Sequence, residues 1–393
     1  MNSDPVVILA ARRTPVGAFQ GAFAAVTAPQ LGSVAIKAAL ADSGVAASEI
    51  DEVIMGCVLS AGIGQAPARQ AALGAGIPSS IPATTVNKMC GSAMRAVMSA
   101  ADQILAGSAQ VVVAGGIESM SNAPYLLPKA RAGYRMGNQE VLDHMFFDGL
   151  QSPWDGQLMG CFAEATSAKY DFTRKAQDDF AAESVRRALA ATTNGAFAAE
   201  IAPVTTKSRK GEVLVDKDET PFTLDIAKIP SLKPAFKKAG TVTAASSSGI
   251  SDGAAALVLT RESFAAAHGR KPLARILGYT SFAREPEWFT LAPVGAMRKL
   301  LTQLKWQAKD VDLYEINEAF AAVPMAAMKD LDLDHQKINV NGGACALGHP
   351  IGATGARIIT TLLYALRARG KQRGIASLCI GGGEATAIAI ELM

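Results

Sequence analysis

An α/β fold made of two related units with a long insertion between them is predicted by three features of this chain. Strand-like apolar runs alternate with amphipathic helical patterns in both terminal thirds of the sequence. Two strand segments of the first third recur, in order, roughly 260 residues later. The middle third has a different texture, rich in prolines, aromatic residues and turn signals. With 393 residues, 49 % hydrophobic and 19 % charged, the chain can bury a large core, and disorder is excluded.

In chain order, "PVVILAA" opens as a strand at Val6 to Ala10, and a helical pattern covers residues 31–43 before the strand "EVIMGCV". The stretch "VNKMCGSAMRAV" (86–97) then leaves a polar strand exit and enters a helix. Met94, Val97, Met98, Ala101, Ile104 and Leu105 recur at helical spacing until Gly107. "QVVVAGG" follows as a buried strand. The insertion, residues 121–245, carries "SPWDG", a helix around 176–191 and the basic run "TKSRKG" at 206–211. The last third repeats the opening theme with "VDLYEIN", the helix "ATGARIITTLLYALRAR", and the strands "GIASLCIGGG" and "EATAIAIEL". "EIDEVIMG" resembles "DVDLYEIN", and "VVVAGGIES" resembles "SLCIGGGEA". The alternation predicts parallel strands.

Composition excludes several roles. A net charge of +3 gives no argument for nucleic acid or a membrane surface. No apolar run approaches the roughly 20 residues that span a bilayer. The start, "MNSDPVVILAARRTP", lacks the pattern of a secretory signal, so a cytoplasmic protein is expected. Five scattered cysteines show no metal-ligand or redox-motif spacing, and only four histidines can serve as imidazole bases. No metal site is expected.

Four places carry chemistry. Cys90 stands at a helix mouth before three small residues, where unpaired N–H groups and the dipole favour a thiolate. Such placement can lower a thiol pKa from about 8.5 into the range of roughly 3.5 to 7.5. The plain alternative is a small buried hydrophobe. His349 lies in "NGGACALGHPIGATGAR" (341–357), extended before Pro350 and just upstream of a helix starting near Ala353. That helix end favours a neutral imidazole, able to take a thiol proton or donate to an oxyanion. In "SLCIGGGEA", Cys379 ends a strand and three glycines follow, a turn whose N–H groups can form an oxyanion hole or simply a tight hairpin. In "EINEAFA", Asn317 and Glu318 leave a strand for a helix; Asn317 can cap that helix or position a water. Lys207, Arg209 and Lys210 of the basic run are candidates for phosphate contacts, against a solvated face as the alternative.

Taken together these blocks carry a resemblance. "NKMCGSAM", "EINEAFA", "NVNGGACALGHPIGATGAR" and "CIGGGEA" are similar, in order, to the four signature blocks of the thiolases. "AARRTPVGAFQG" and "GTVTAASSSGISDGAAA" also look like family motifs, and the likeness covers essentially the whole chain, looking most like the bacterial acetyl-CoA acetyltransferases. The resemblance implies the five-layered αβαβα thiolase fold, with two duplicated α/β halves and an inserted loop domain. Residues 1–120, completed by about 246–270, would form the N-terminal half and 271–393 the C-terminal half. Residues 121–245 would form the loop domain, for CoA binding and oligomerisation. A homodimer or homotetramer is implied, with coenzyme A and acetyl-CoA as substrates and neither a metal nor a tightly bound cofactor.

The implied activity is acetyl-CoA C-acetyltransferase, a reversible Claisen condensation of two acetyl-CoA to acetoacetyl-CoA and CoA. Carried over by motif, Cys90 is the acylated nucleophile, and His349 activates it and helps hold the thioester oxygen with a water on Asn317. Cys379 moves the proton at the α-carbon, and the N–H groups of Cys90 and Gly381 form a second oxyanion hole. The chemistry is consistent: an enolate needs a base for a carbon-bound proton and donors for its oxygen. The first is worth ~10²–10⁴-fold and each donor ~10²–10³-fold. Ser248 matches the pantetheine-contacting serine, and Leu150, Leu158, Met159, Phe236, Phe289 and Ala319 fall around the acyl and CoA groups.

Departures bear on specificity. Leu158 stands where short-chain thiolases usually carry histidine, and Phe289 where many carry methionine. Phe222, in a segment one residue short, replaces an arginine common near the adenine; Ser246 and Ser251 replace asparagines. The alternatives are a broader-chain 3-ketoacyl-CoA thiolase of β-oxidation, a cysteine hydrolase using Cys90, His349 and Asn317, and a non-enzymatic CoA-binding relative. The hydrolase leaves Cys379 and the glycine turn without a role, and the non-enzymatic relative is expected to have lost Cys90 or His349.

Overall fold

A computed structural model of the chain describes residues 4–208 and 211–393, so Arg209 and Lys210 lie outside the described residues. Ten of the strands form one mixed sheet, apart from two two-stranded pairs. From one edge its order is Leu313–Ile316, Arg373–Ile380, Glu384–Leu392, Ala274–Ala283, Val6–Arg13, Ser251–Arg261, Val111–Ser119, Glu52–Gly56 and Ala83–Val86. Short Gly17–Ala18 pairs with Ser251–Arg261 off this path. The predicted parallel pairing holds only toward the two outer edges. The five central pairings are antiparallel, and in one of them Arg373–Ile380 returns directly into Glu384–Leu392 through a glycine turn, with no helical crossover between them.

The two halves repeat each other closely. Asp51 accepts from the N–H groups of Gln110 and Val111, and Asp312 accepts in the same way from Gln372 and Arg373. Val53 is in register with Val113, and Tyr314 with Ile375. The equivalence Val53–Tyr314 read from "EIDEVIMG" and "DVDLYEIN" is therefore kept. The match of "VVVAGGIES" to "SLCIGGGEA" is out of step, because register pairs Val113 with Ile375 and not with Cys379. Apolar strands of period two resemble one another at several offsets. The half-sheets are also joined rather than separate: Val7 and Ile8 pair with Arg275 and Ala274.

Helices complete five layers. Ala28–Ser43 and Pro67–Gly74 cover the outer face of the N-terminal half-sheet. Ala292–Leu304 and Ala322–Leu331 cover that of the C-terminal one. Between the halves lie Ser92–Ala106 and Thr354–Ala368, which share one apolar core with strands of both. Thr354–Ala368 is buried on nearly every side, as the sequence "RIITTLLYAL" requires of a helix between two sheets. The first helix starts earlier than its apolar period suggests, because Thr27 and Gln30 form a capping box and Pro29 fits its first turn.

The insertion contributes helices Met159–Lys169 and Arg174–Thr193 and a hairpin, Val204–Ser208 with Gly211–Val215. It is held to the core by Arg13, fully buried, whose guanidinium bonds Glu200 at 2.6 Å and both oxygens of Asp218 at 2.6 and 2.9 Å. Helix Arg174–Thr193 closes on Gly342, whose added Cβ would lie 2.5 Å from the carbonyl of Ser184. Ser184 donates to Glu318 at 2.7 Å, tying that helix to the segment just after Asn317.

Candidate active site

Cys90 sits one residue before the cap of helix Ser92–Ala106, on a turn that its neighbours force. Met89 is left-handed, with φ +47°. Its N–H is taken by Asn87 Oδ1 at 2.9 Å, while Ser92 Oγ donates to the Met89 carbonyl at 2.6 Å and accepts from Lys88 N–H at 2.9 Å. Gly91 is needed because a Cβ there would lie 2.4 Å from Ile380 Cδ1. The N–H groups of Gly381 and of Cys90 itself point at the sulfur. They are outweighed by burial, which pushes the thiol up to about 11. Burial of the half-buried Cys90 thus works against the thiolate that a helix mouth favours, where the dipole is worth only about 1 kcal/mol.

His349 follows Gly348, which has φ +102° and no room for a Cβ, as one would lie 2.0 Å from Ser251 Oγ. The His349 N–H donates to the Gly249 carbonyl at 3.0 Å. Its Nδ1 is 2.6 Å from Thr354 Oγ1, and that hydroxyl donates to the Pro350 carbonyl at 2.9 Å. The hydroxyl proton being spent, Nδ1 carries the hydrogen and Nε2 keeps its lone pair. Burial and nearby Arg357 lower the imidazole to about 3, so it is neutral, as the sequence suggested. Asn317 Nδ2 lies 3.5 Å from that Nε2, and Asn317 Oδ1 lies 3.5 Å from Arg357, which is itself buried against Glu315.

Cys379 is fully buried next to the end of strand Arg373–Ile380. Burial and the neighbouring Cys90 hold its thiol well above the ordinary range. Beyond it Gly381 starts a turn in which Gly382 and Gly383 are left-handed, with φ +95° and +89°.

These elements close around a cavity of about 360 Å³ whose lining includes Cys90, His349 and Gly381. Leu150, Leu158, Met159, Phe236, Ser248, Phe289 and Ala319 line its walls, so the structure brings all these predicted residues together. Ser248 N–H donates to the Ala319 carbonyl at 3.0 Å, which makes those two neighbours. Phe289 is edge-on to Phe162 and to Phe320, and Phe320 to Phe236, forming an aromatic wall. Asn317 and Cys379 are buried behind the lining, not on it. Lys207 is exposed on the hairpin and is not part of this cavity, and Phe222 is exposed.

Sequence reasoning missed Phe146, Met120 and Ile351 on the lining, and Thr354 and Arg357 behind it. Ile351, Thr354 and Arg357 stand in the quoted glycine-rich block, but only the folded helix shows which way they face. Among the described residues no cluster of three or more His, Cys, Asp or Glu is placed to hold a metal ion, and no helix is long and apolar enough to cross a membrane. The site can carry an acyl group on one thiol, hold two developing oxyanions and move a proton with the other thiol.

Residues 6–263 match the family described as "Thiolase, N-terminal domain", and residues 270–392 match "Thiolase, C-terminal domain". The chain is 49 % identical to an acetyl-CoA acetyltransferase of Cupriavidus necator, over 98 % of this chain and 99 % of that protein. It is 50 % identical to one of Escherichia coli, over 98 % of each. The fold superposes on the crystal structure of an acetyl-CoA acetyltransferase of Bacillus anthracis, with TM-score 0.97, 44 % identity and 99 % of both chains covered. A thiolase of Ascaris suum in complex with coenzyme A gives TM-score 0.94 and 42 % identity, covering 99 % of this chain and all of that one.

Proposed function

This chain belongs to the thiolase family, and on that premise we propose that it works through an acyl group carried on Cys90. It is an acetyl-CoA C-acetyltransferase, condensing two acetyl-CoA into acetoacetyl-CoA and CoA or running the reverse thiolysis. The observation that carries the reading is the meeting of Cys90, His349 and Gly381 on the lining of one apolar cavity, with Cys379 buried near Cys90.

In thiolysis, Cys90 Sγ attacks the 3-keto carbon of acetoacetyl-CoA while its proton passes to His349 Nε2. The new oxyanion lies against the N–H groups of Cys90 and Gly381. The carbon–carbon bond breaks, and the acetyl-CoA enolate, held by His349 and a water on Asn317, takes its proton from Cys379. A raised pKa suits that step, because Cys379 starts as the acid. The Cys379 thiolate then takes the proton of CoA, whose sulfur attacks the acetyl group on Cys90; the Cys90–acyl bond breaks, and Cys90 takes back the proton held on His349, which restores the enzyme. Coenzyme A thus enters as a substrate, and Ser248 beside Ala319 is placed for its pantetheine arm.

A homodimer or homotetramer completes this reading. Strand Ala83–Val86 ends the sheet with one edge unpaired among the described residues, and Tyr125, Leu127, Met136 and Val141 expose apolar surface nearby in sequence. Two thiols that must stay reduced favour the cytoplasm. The test is CoA-dependent loss of acetoacetyl-CoA by the pure protein, beside 3-ketooctanoyl-CoA and a Cys90→Ala control. Fast acetoacetyl turnover, slow octanoyl turnover and an inactive variant are expected. Equal rates would assign a broad chain-length range and point to Leu158, and no turnover would overturn the reading.

A further inference from the structure

We propose that Glu118 is a positioning residue that locks the His349 loop to the half of the molecule carrying Cys90, and so sets where imidazole meets thiol. Glu118 is fully buried and does not line the cavity. Its Oε2 accepts from Gly352 N–H at 2.8 Å and from Val58 N–H at 3.1 Å, and its Oε1 accepts from Leu59 N–H at 3.1 Å. One carboxylate thus joins two loops from opposite halves. Gly352 is three residues after His349, while Val58 and Leu59 follow strand Glu52–Gly56, whose Gly56 lies under the first turn of the Cys90 helix.

The fit around this bond leaves no slack. A Cβ at Gly352 would stand 2.6 Å from Glu118 Oε2 and 2.7 Å from the Ile117 carbonyl. A Cβ at Gly116 would stand 2.1 Å from the Gly352 carbonyl and 2.6 Å from Ala93 Cβ. Strand Val111–Ser119 therefore touches both the nucleophile's helix and the base's loop, and Glu118 is its hydrogen-bonded contact with the second. Of His349's other tethers, Thr354 lies in its own segment and Gly249 precedes strand Ser251–Arg261, so Glu118 is the hydrogen-bonding side chain that ties the loop to strand Val111–Ser119 itself. Hydrogen-bond polarity matters here as well as shape, since burial, opposed by the N–H groups of Leu59, Val58 and Gly352 and helped by nearby Asp252, pushes this carboxyl up to about 7. A carboxylate can accept at both oxygens, whereas an amide in its place turns an N–H₂ donor toward at least one of these three N–H groups. The wall formed by Val58, Leu59, Met120, Met145 and Ile351 would loosen with it.

This proposal rests on His349 acting in acyl transfer, so the unaltered enzyme's turnover of acetoacetyl-CoA is measured first; if that is absent, the functional reading fails and not this one. Glu118→Gln is then compared with it by melting temperature, by stoichiometric acetylation of Cys90 as a count of competent sites, and by kcat and KM for acetoacetyl-CoA thiolysis. The expected result is a 10- to 100-fold fall in kcat per acetylated site, with KM within threefold. A merely structural role would lower the melting temperature and the number of competent sites but leave kcat per site unchanged. Should Glu118→Gln fail to fold, Glu118→Asp, which keeps the carboxyl on a shorter arm, is read in the same way. A kcat per site within twofold of the unaltered enzyme, or loss of folding in both variants, would overturn the proposal.

Discussion

The two thiols and the imidazole rest in neutral form, and that follows from burial. Cys90 is raised to about 11 and His349 lowered to about 3, so no thiolate–imidazolium pair precedes substrate and the proton moves as sulfur attacks. Because only the thiolate is alkylated, the rate of Cys90 alkylation by iodoacetamide should climb about tenfold per pH unit from pH 7 to 10. Peptide mass spectrometry across that series checks it, and a plateau below pH 8 would contradict it. His349, neutral throughout, contributes no step to the profile. From sequence, Cys90 stood out as the proposed reactive cysteine, but its protonation was not legible. Helix position is local, whereas desolvation depends on how Gly381, Ile380 and the cavity walls close over it.

Elements bring the reacting groups together across the two halves. The turn before Cys90 and the turn after Cys379 are linked directly, since Lys88 forms an ion pair with Glu384. Both side chains are partly exposed, so screening limits the pair. A double-mutant cycle with Lys88→Ala and Glu384→Ala, followed by urea denaturation, should give a coupling of about 0.2–1 kcal/mol that fades at high salt. A coupling of zero would mean that Gly91 and Ile380 alone hold the two turns in contact. The strands and helices themselves were legible from period and punctuation, including the helix after Cys90 and its stop at Gly107. The central strands' antiparallel direction was not, because a strand's apolar pattern reads alike in either direction.

At the scale of the whole molecule, the insertion is fastened to the core through charge. Arg13 lies on the strand at the middle of the sheet and meets Glu200 and Asp218, all three fully buried. Such a cluster need not stabilise more than apolar residues would, but removing one member leaves the others uncompensated. Arg13→Met should therefore cost about 3–5 kcal/mol in urea unfolding, with the insertion's hydrogen-exchange protection falling first. A loss below 1 kcal/mol would show that the carboxylates find other partners.

By itself the sequence determined the α/β class, the repeated units and the family, and it named the groups proposed to do the chemistry. Cys90, His349, Asn317 and Cys379 stand in short blocks whose glycines and helix signals are local properties of the chain. Tertiary structure alone decided what lies between those blocks. It joined the half-sheets at Val7 and Ile8, raised both thiols by burial, and set Lys207 on an exposed hairpin off the cavity lining. It also brought Glu118 to Gly352, 234 positions away, through contacts to backbone N–H groups that have no side-chain signature to read. Burial and long-range hydrogen bonds are sums over neighbours distant in the chain, and only the folded molecule fixes who those neighbours are.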